Sequence, residues 1–146
     1  MELRYLHLLP KQTPPVLKVR PFRAVIVADA PVGETWRNQI AAWIVKSGCL
    51  YVVAWGIDCE TWHNSVDLAL LDSFTFCDIP TDHLIITTWH DDESLSEALF
   101  FVEQCAFHPD VELTETIIVH VAVQARALQL LQIYKDSQVL KDGNHS

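Results

Sequence analysis

The side chains best suited to chemistry lie in one short acidic run and at one isolated carboxylate. His90-Asp91-Asp92-Glu93 forms the run, and Asp29 closes an apolar segment earlier in the chain. Oxygen ligands are what Mg²⁺ and Mn²⁺ prefer, so Asp29, Asp91 and Asp92 are candidate ligands of such an ion. His90 would then be a candidate catalytic residue that moves protons to and from a phosphate ester, and Asp91 is a further catalytic candidate.

The acidic run also has an ordinary structural explanation. It precedes Ser94, and Ser94 with Glu97 has the spacing of a capping box at a helix start. Acidic residues are favoured near the first turn of a helix because they interact well with its dipole. Both explanations stay open at this point.

Cys59 is the candidate nucleophile of a different kind of site. His63 follows it by four residues, so the two side chains can meet on one face of a helix. A helix N-terminus and a nearby imidazole would lower the pKa of a thiol and make it reactive. The alternative is a structural cysteine beside a surface histidine, since free cysteine usually behaves as a small core residue.

Two indoles end predicted strands. Trp55 and Trp89 can stack on a flat ligand or can simply close the core. We predict a ligand-binding set of Asp29, Trp55, Trp89 and His90.

The elements that must position these residues follow from the hydrophobic pattern. Short runs rich in β-branched and aromatic residues, nearly free of charge, predict four buried strands, at 23–29, 50–55, 84–89 and 116–122. Segments with apolar residues at helical spacing follow each run. This alternation predicts an α/β fold: a three-layer sandwich with a mainly parallel sheet of four to five strands, helices on both faces, and flavodoxin- or Rossmann-like topology.

The carboxyl ends of parallel strands meet at one edge of the sheet, and ligands bind there where the strand order reverses. If the order of the four predicted strands is 2-1-3-4, Asp29 and the turn at 90–92 flank that reversal. We therefore expect an acidic pocket walled by indoles.

The chain reads as one domain over residues 1–140. We predict an edge strand and a Pro-rich connector within residues 1–22. We also predict a further short edge strand at 74–77 and a disordered tail at 141–146.

Composition and missing motifs exclude several classes of function. The formal net charge of −9 argues against nucleic acid and anionic membranes as partners. No apolar window is long enough for a membrane span, and no signal-peptide pattern opens the chain, so we expect a cytoplasmic protein. The chain lacks the G-x-G-x-x-G motif of dinucleotide-binding domains, the P-loop motif of phosphate-binding domains and the G-x-S-x-G motif of α/β-hydrolases, which argues against these three classes.

Three segments carry a resemblance: Ser47-Gly-Cys-Leu-Tyr51, Ala54-Trp-Gly-Ile-Asp-Cys59 and Thr88-Trp-His-Asp-Asp-Glu93. Through them the chain resembles a family of small uncharacterised bacterial proteins without an assigned activity. The resemblance implies a bacterial cytosolic α/β domain and no particular chemistry.

The sequence therefore favours a noncatalytic, acidic binding or accessory module that engages a protein partner with a basic surface. The alternative is a Mg²⁺- or Mn²⁺-dependent hydrolase or nucleotide-processing enzyme with its site at the carboxyl edge of the sheet.

Overall fold

The computed structural model describes residues 2–143, in which strands and helices alternate after the first strand. The strands are β1 (Glu2–Leu8), β2 (Phe22–Ala28), β3 (Cys49–Gly56), β4 (Ile86–His90) and β5 (Glu115–Val121). The helices are α1 (Glu34–Lys46), α2 (Cys59–Ser73), α3 (Leu95–Cys105) and α4 (Ala127–Gly143), with a short 3₁₀ turn at Thr81–His83. The predicted α/β class is confirmed.

The five strands form one parallel sheet in the order β1-β5-β2-β3-β4. The four strands predicted from the hydrophobic runs thus take the Rossmann order 3-2-1-4, and the order 2-1-3-4 is wrong. The chain adds β3 and β4 on one side of β2 and then returns to add β5 on the other side. The reversal therefore lies between β2 and β5, and β4 becomes an outer edge.

Each face of the sheet has its own apolar core. One core lies under α1 and α2 and includes an edge-to-face contact of Trp36 with Trp62, whose ring centroids are 6.3 Å apart. The other core lies under α3 and α4 and includes Leu99 and Val102 of α3. Every residue of β2 is buried, as expected for the central strand of a sheet covered on both faces.

The predicted helix start at Ser94 is confirmed. The Ser94 side chain accepts a hydrogen bond from the backbone N–H of Glu97 at 3.1 Å. Asp91, Asp92 and Glu93 precede this cap in a turn, so they lie outside the helix rather than in its first turn. Within the described part of the chain, no helix has the length and apolarity needed to cross a membrane.

The two ends of the chain and one loop agree only in part with the sequence predictions. The predicted N-terminal edge strand is β1, which pairs in parallel with β5. The predicted strand at 74–77 is wrong, because this segment is a turn in which Thr75 and Phe76 have positive φ angles of 50° and 57°. The α4 backbone continues to Gly143, into the predicted tail, and residues 144–146 lie outside the described residues.

Candidate functional site

A shallow pocket of about 360 Å³ opens at the carboxyl ends of β2, β3 and β4. It brings together four residues singled out in the sequence, Asp29, Trp55, His90 and Asp91. Trp89 and Asp92 are not among its lining residues. The full lining is Ala28, Asp29, Trp55, Gly56, Ile57, His90, Asp91 and Glu93.

The register of the sheet explains why these residues meet. Trp55 pairs with His90 across β3 and β4, and Ala28 pairs with Gly56 across β2 and β3, so the three strands end at the same level. Gly56 has a φ of +100°, and a Cβ there would lie 2.3 Å from the carbonyl oxygen of Ala28. Only glycine therefore allows β3 to turn closely over β2, where Ile57 donates its N–H to Ala28 at 2.8 Å.

Internal hydrogen bonds fix the orientation of the pocket walls. The Trp55 indole donates to the backbone oxygen of Glu93 at 2.8 Å. His90 is 7% exposed, and its Nδ1 lies 3.0 Å from a Glu93 carboxylate oxygen while its Nε2 lies 3.0 Å from Thr88 Oγ1. Both ring nitrogens of His90 thus have partners inside the protein, and the residue positions the turn at 91–93.

A second group of polar side chains lies where the strand order reverses, between β2 and β5. His120 of β5 is fully buried, and its Nε2 lies 2.6 Å from an Asp29 carboxylate oxygen. Its Nδ1 lies 2.6 Å from the Tyr5 hydroxyl of β1. Arg126 precedes α4 and contacts both partners, through its guanidinium to Asp29 and through its backbone N–H to Tyr5 at 3.0 Å.

The proton positions in this network follow from its chemistry. A carboxylate only accepts hydrogen bonds, so His120 Nε2 donates to Asp29, and with a neutral imidazole Nδ1 accepts from the Tyr5 hydroxyl. The Tyr5 oxygen in turn accepts from the Arg126 backbone N–H. The chain of hydrogen bonds therefore begins and ends at Arg126, it is fully satisfied with a neutral imidazole, and it ties β1, β2, β5 and α4 together.

Electrostatics also favour the neutral imidazole. Burial lowers the pKa of His120 below its ordinary value of 6.5, and this effect outweighs the Asp29 carboxylate, which acts in the opposite direction. The positive charge of Arg126 lowers the pKa of His120 further. The folded protein therefore binds a proton at His120 less readily than the unfolded chain does.

This difference makes stability depend on pH. Below pH 6.5 the unfolded chain takes up a proton that the folded protein resists, so the free energy of unfolding falls as the pH is lowered, by at most about 1.4 kcal/mol per pH unit. We expect urea titrations at pH 7.5, 6.5 and 5.5 to show this decrease for the wild type and a smaller one for His120→Gln. A wild-type stability that rises between pH 7.5 and 5.5 would contradict the assignment.

Two of the carboxylates that follow β4 have no such partners. Asp91 and Asp92 are exposed and make no hydrogen bond or ion pair through their side chains with any residue in the described range. Asp58, in the turn after β3, and Glu60, in the first turn of α2, are also exposed. We name the exposed carboxylates that follow β3 and β4 the acidic rim, which consists of Asp58, Glu60, Asp91, Asp92 and Glu93.

Trp89 lies on the opposite face of β4 from His90. Its ring is 4.5 Å from the His63 ring of α2, and the residue is 41% exposed. It therefore contributes an exposed aromatic surface beside the acidic rim and does not line the pocket itself.

The predicted metal site gains no support from this geometry. Within residues 2–143, no group of three or more His, Cys, Asp or Glu side chains is placed to hold a metal ion. Asp29 is engaged by His120 and Arg126, and β3 separates its strand from the turn that carries Asp91 and Asp92. The set Asp29, Asp91 and Asp92 stays a prediction from sequence.

Cys59 lies in an environment that works against a reactive thiolate. It is 4% exposed, and burial raises the pKa of its thiol. His63 faces Asp67 instead, with its Nε2 3.4 Å from the carboxylate, and no hydrogen bond joins it to Cys59. The structural explanation of the Cys59 and His63 spacing is the one that this geometry favours.

The network around His120 contains two residues that the sequence did not single out. Tyr5 occupies an edge strand and Arg126 a turn, and neither belongs to a recognisable motif. The available signal was His120 itself, a polar residue in the middle of an apolar strand, which requires partners when it is buried. Its partner Asp29 follows β2, and the observed strand order is what places β2 next to β5.

Fold and site together define a three-layer α/β domain with Rossmann-like strand order and a solvent-open acidic pocket at the carboxyl edge of its sheet. The chain belongs to the family described as Domain of unknown function (DUF7684), whose model matches residues 3–137. The expected resemblance to an uncharacterised family is confirmed. No curated protein and no solved structure matches the chain.

Proposed function

We propose that this domain is a noncatalytic binding module that engages a basic segment of a protein partner at the carboxyl edge of its sheet. The observation that carries the proposal is a contrast between the imidazoles and the carboxylates at the carboxyl ends of the strands. The two imidazoles at the pocket and at Asp29, those of His90 and His120, are bonded internally at both ring nitrogens, whereas the carboxylates of Asp91 and Asp92 face solvent without a partner.

A general acid or base must reach the proton that it transfers. His120 is fully buried, and its two nitrogens are held by Asp29 and Tyr5. His90 is nearly buried and held by Thr88 and Glu93. A substrate would have to displace a hydrogen bond of 3.0 Å or shorter to use either imidazole, and this supports a binding role over a catalytic one.

The pocket suits a lysine or arginine side chain of the partner. Asp91 offers an unpaired carboxylate at its mouth, and the Trp55 indole forms a wall whose orientation is fixed by its bond to Glu93. A cation held against an indole face gains about 0.5–2 kcal/mol, and a carboxylate adds charge-assisted hydrogen bonds. A preorganised wall costs little entropy on binding.

The charge of the whole chain acts in the same direction. A net charge of −9 on 146 residues, with exposed carboxylates after two neighbouring strands, steers a basic segment toward the acidic rim. The attraction between exposed charges is screened within roughly 8–10 Å at physiological salt. Binding should therefore weaken steeply as salt is added.

The test uses a synthetic peptide of about ten residues that alternates lysine and threonine, titrated calorimetrically at low ionic strength. We expect the double substitution Asp91→Asn with Asp92→Asn to weaken binding about tenfold, because it removes two unpaired charges of the acidic rim.

The matched control removes the same charge elsewhere. Glu2→Gln with Asp136→Asn changes two exposed carboxylates, in β1 and α4, on the side of the sheet away from β4, and should change the affinity no more than about twofold. Equal losses in both double variants would mean that only net charge matters. Failure of the wild type to bind the peptide at low salt would overturn the proposal.

A further inference from the structure

The sheet has two outer strands, and they differ in how they are protected against further pairing. β1 carries exposed charges at Glu2 and Arg4, and its neighbouring connector is fixed by hydrogen bonds from the indoles of Trp36 and Trp43. Charged residues on an edge strand are a common protection against an additional strand.

β4 has none of these protections. Its five residues, Ile86–His90, include no lysine, arginine, acid or proline, and their register with β3 is unbroken. Among the described residues β4 pairs in the sheet only with β3, so the backbone N–H and C=O groups along its other edge have no strand partner. Such an edge is a template for one more strand.

We propose that the free edge of β4 receives an extended, basic segment of the partner as a sixth strand of the sheet. This inference rests on the proposed function, because it assigns the way in which the basic partner is held. The backbone of β4 supplies the hydrogen bonds, and the acidic rim and the pocket supply the preference for lysine and arginine.

The charges at the two ends of β4 select this occupant. Asp91 and Asp92 follow the strand, and the exposed residues Asp78 and Asp82 lie in the loop before it. A segment with positive charges on both sides of a short strand therefore meets an acid at each end, whatever direction it runs in.

A second copy of this chain fits the same edge poorly. Two β4 strands related by a twofold axis run antiparallel, which places the acidic turn of each copy beside the acidic loop of the other. Like charges that face each other across strands are destabilising.

Trp89 provides an apolar anchor for the added strand. It is 41% exposed on one face of β4 and rests on the His63 ring. Aromatic residues pair well across strands with β-branched neighbours, and an indole also attracts a cation. An incoming strand that alternates lysine with a β-branched residue meets both preferences.

The experiment is hydrogen exchange, measured residue by residue, on the full chain with and without the lysine–threonine peptide. We expect the outward-pointing amides among residues 86–90 to exchange at least about tenfold more slowly with peptide bound, and the amides of residues 2–8 in β1 to be unaffected. A peptide of the same sequence with N-methylated amides at alternate residues keeps the charge but loses the ladder, and should bind about tenfold more weakly.

A pair of variants separates the edge from the total charge. Trp89→Lys places a positive charge in the edge strand and should weaken peptide binding about tenfold. Val139→Lys makes the same charge change at a 65% exposed position near the far end of α4 and should leave the affinity within about twofold.

The outcomes distinguish this inference from the proposed function. If the peptide binds, depends on Asp91 and Asp92, and leaves the exchange of residues 86–90 unchanged, strand addition is wrong and the acidic binding site stands. Equal binding of the N-methylated peptide has the same meaning. If the peptide does not bind at all, both fail.

Discussion

The His120→Ala variant should unfold with a free energy about 3–4 kcal/mol lower than that of the wild type. The substitution leaves a cavity at a position with no solvent exposure and removes the shared partner of Asp29 and Tyr5. The hydroxyl of Tyr5 and the carboxylate of Asp29 then keep only their hydrogen bonds from Arg126. The packing of the edge strand β1 against the start of α4 is weakened as a result. Urea unfolding at pH 7.5 measures the loss.

The matched control is His83→Ala, which removes an exposed imidazole that contacts the neighbouring Asp82 and the edge of the Phe74 ring. Its effect should stay within about 0.5 kcal/mol. A loss of less than about 1 kcal/mol for His120→Ala would mean that the buried network contributes little to holding the four elements together.

The Gly56→Ala variant should lose about 2–4 kcal/mol of stability, because two independent costs coincide at this residue. Its φ of +100° is strained for any residue with a side chain, and the added Cβ would approach the Ala28 oxygen to 2.3 Å. The obstacle is backbone rather than a flexible side chain, so β3 must move away from β2. Since Gly56 lines the pocket, the same movement should weaken peptide binding as well.

Gly33→Ala is the control for the glycine substitution. Gly33 has a negative φ of −76° at the N-terminus of α1, and nothing lies within 4 Å of the position that a Cβ would take. We expect a loss of no more than about 1 kcal/mol from the less favourable helix cap. Thermal unfolding of both variants in parallel measures the two losses of stability. Equal losses for Gly56→Ala and Gly33→Ala would contradict the account.

The layers of this fold could be predicted from the sequence because each strand is marked by a short run of neighbouring residues. The runs that became β2, β3, β4 and β5 are short, apolar and rich in β-branched residues, and β2 is buried along its whole length. The start of α3 was equally predictable, since Ser94 and Glu97 interact within one turn of helix. Both features depend on residues close together in the chain.

The strand order and the buried network could not be predicted in the same way. Whether β5 lies beside β2 or beyond β4 depends on packing across more than 90 residues of chain, and no local pattern records it. Tyr5 and Arg126 are separated by 121 residues, and only the parallel pairing of β1 with β5 brings the Tyr5 hydroxyl to His120. The Phe74–Cys77 segment was predicted wrongly from a local signal. Its aromatic composition is typical of a strand, but its backbone forms a turn.

The most direct test of the central claim, that the carboxyl edge of the sheet is a binding surface for basic segments, is an NMR titration of the ¹⁵N-labelled chain with the lysine–threonine peptide. We predict that the largest chemical-shift changes fall on residues 55–58 and 90–93, including the Trp55 indole N–H, and that they diminish in the Asp91→Asn, Asp92→Asn variant. Changes centred on residues 107–114, at the amino ends of the strands, would contradict the claim. No changes at a large excess of peptide would also contradict it.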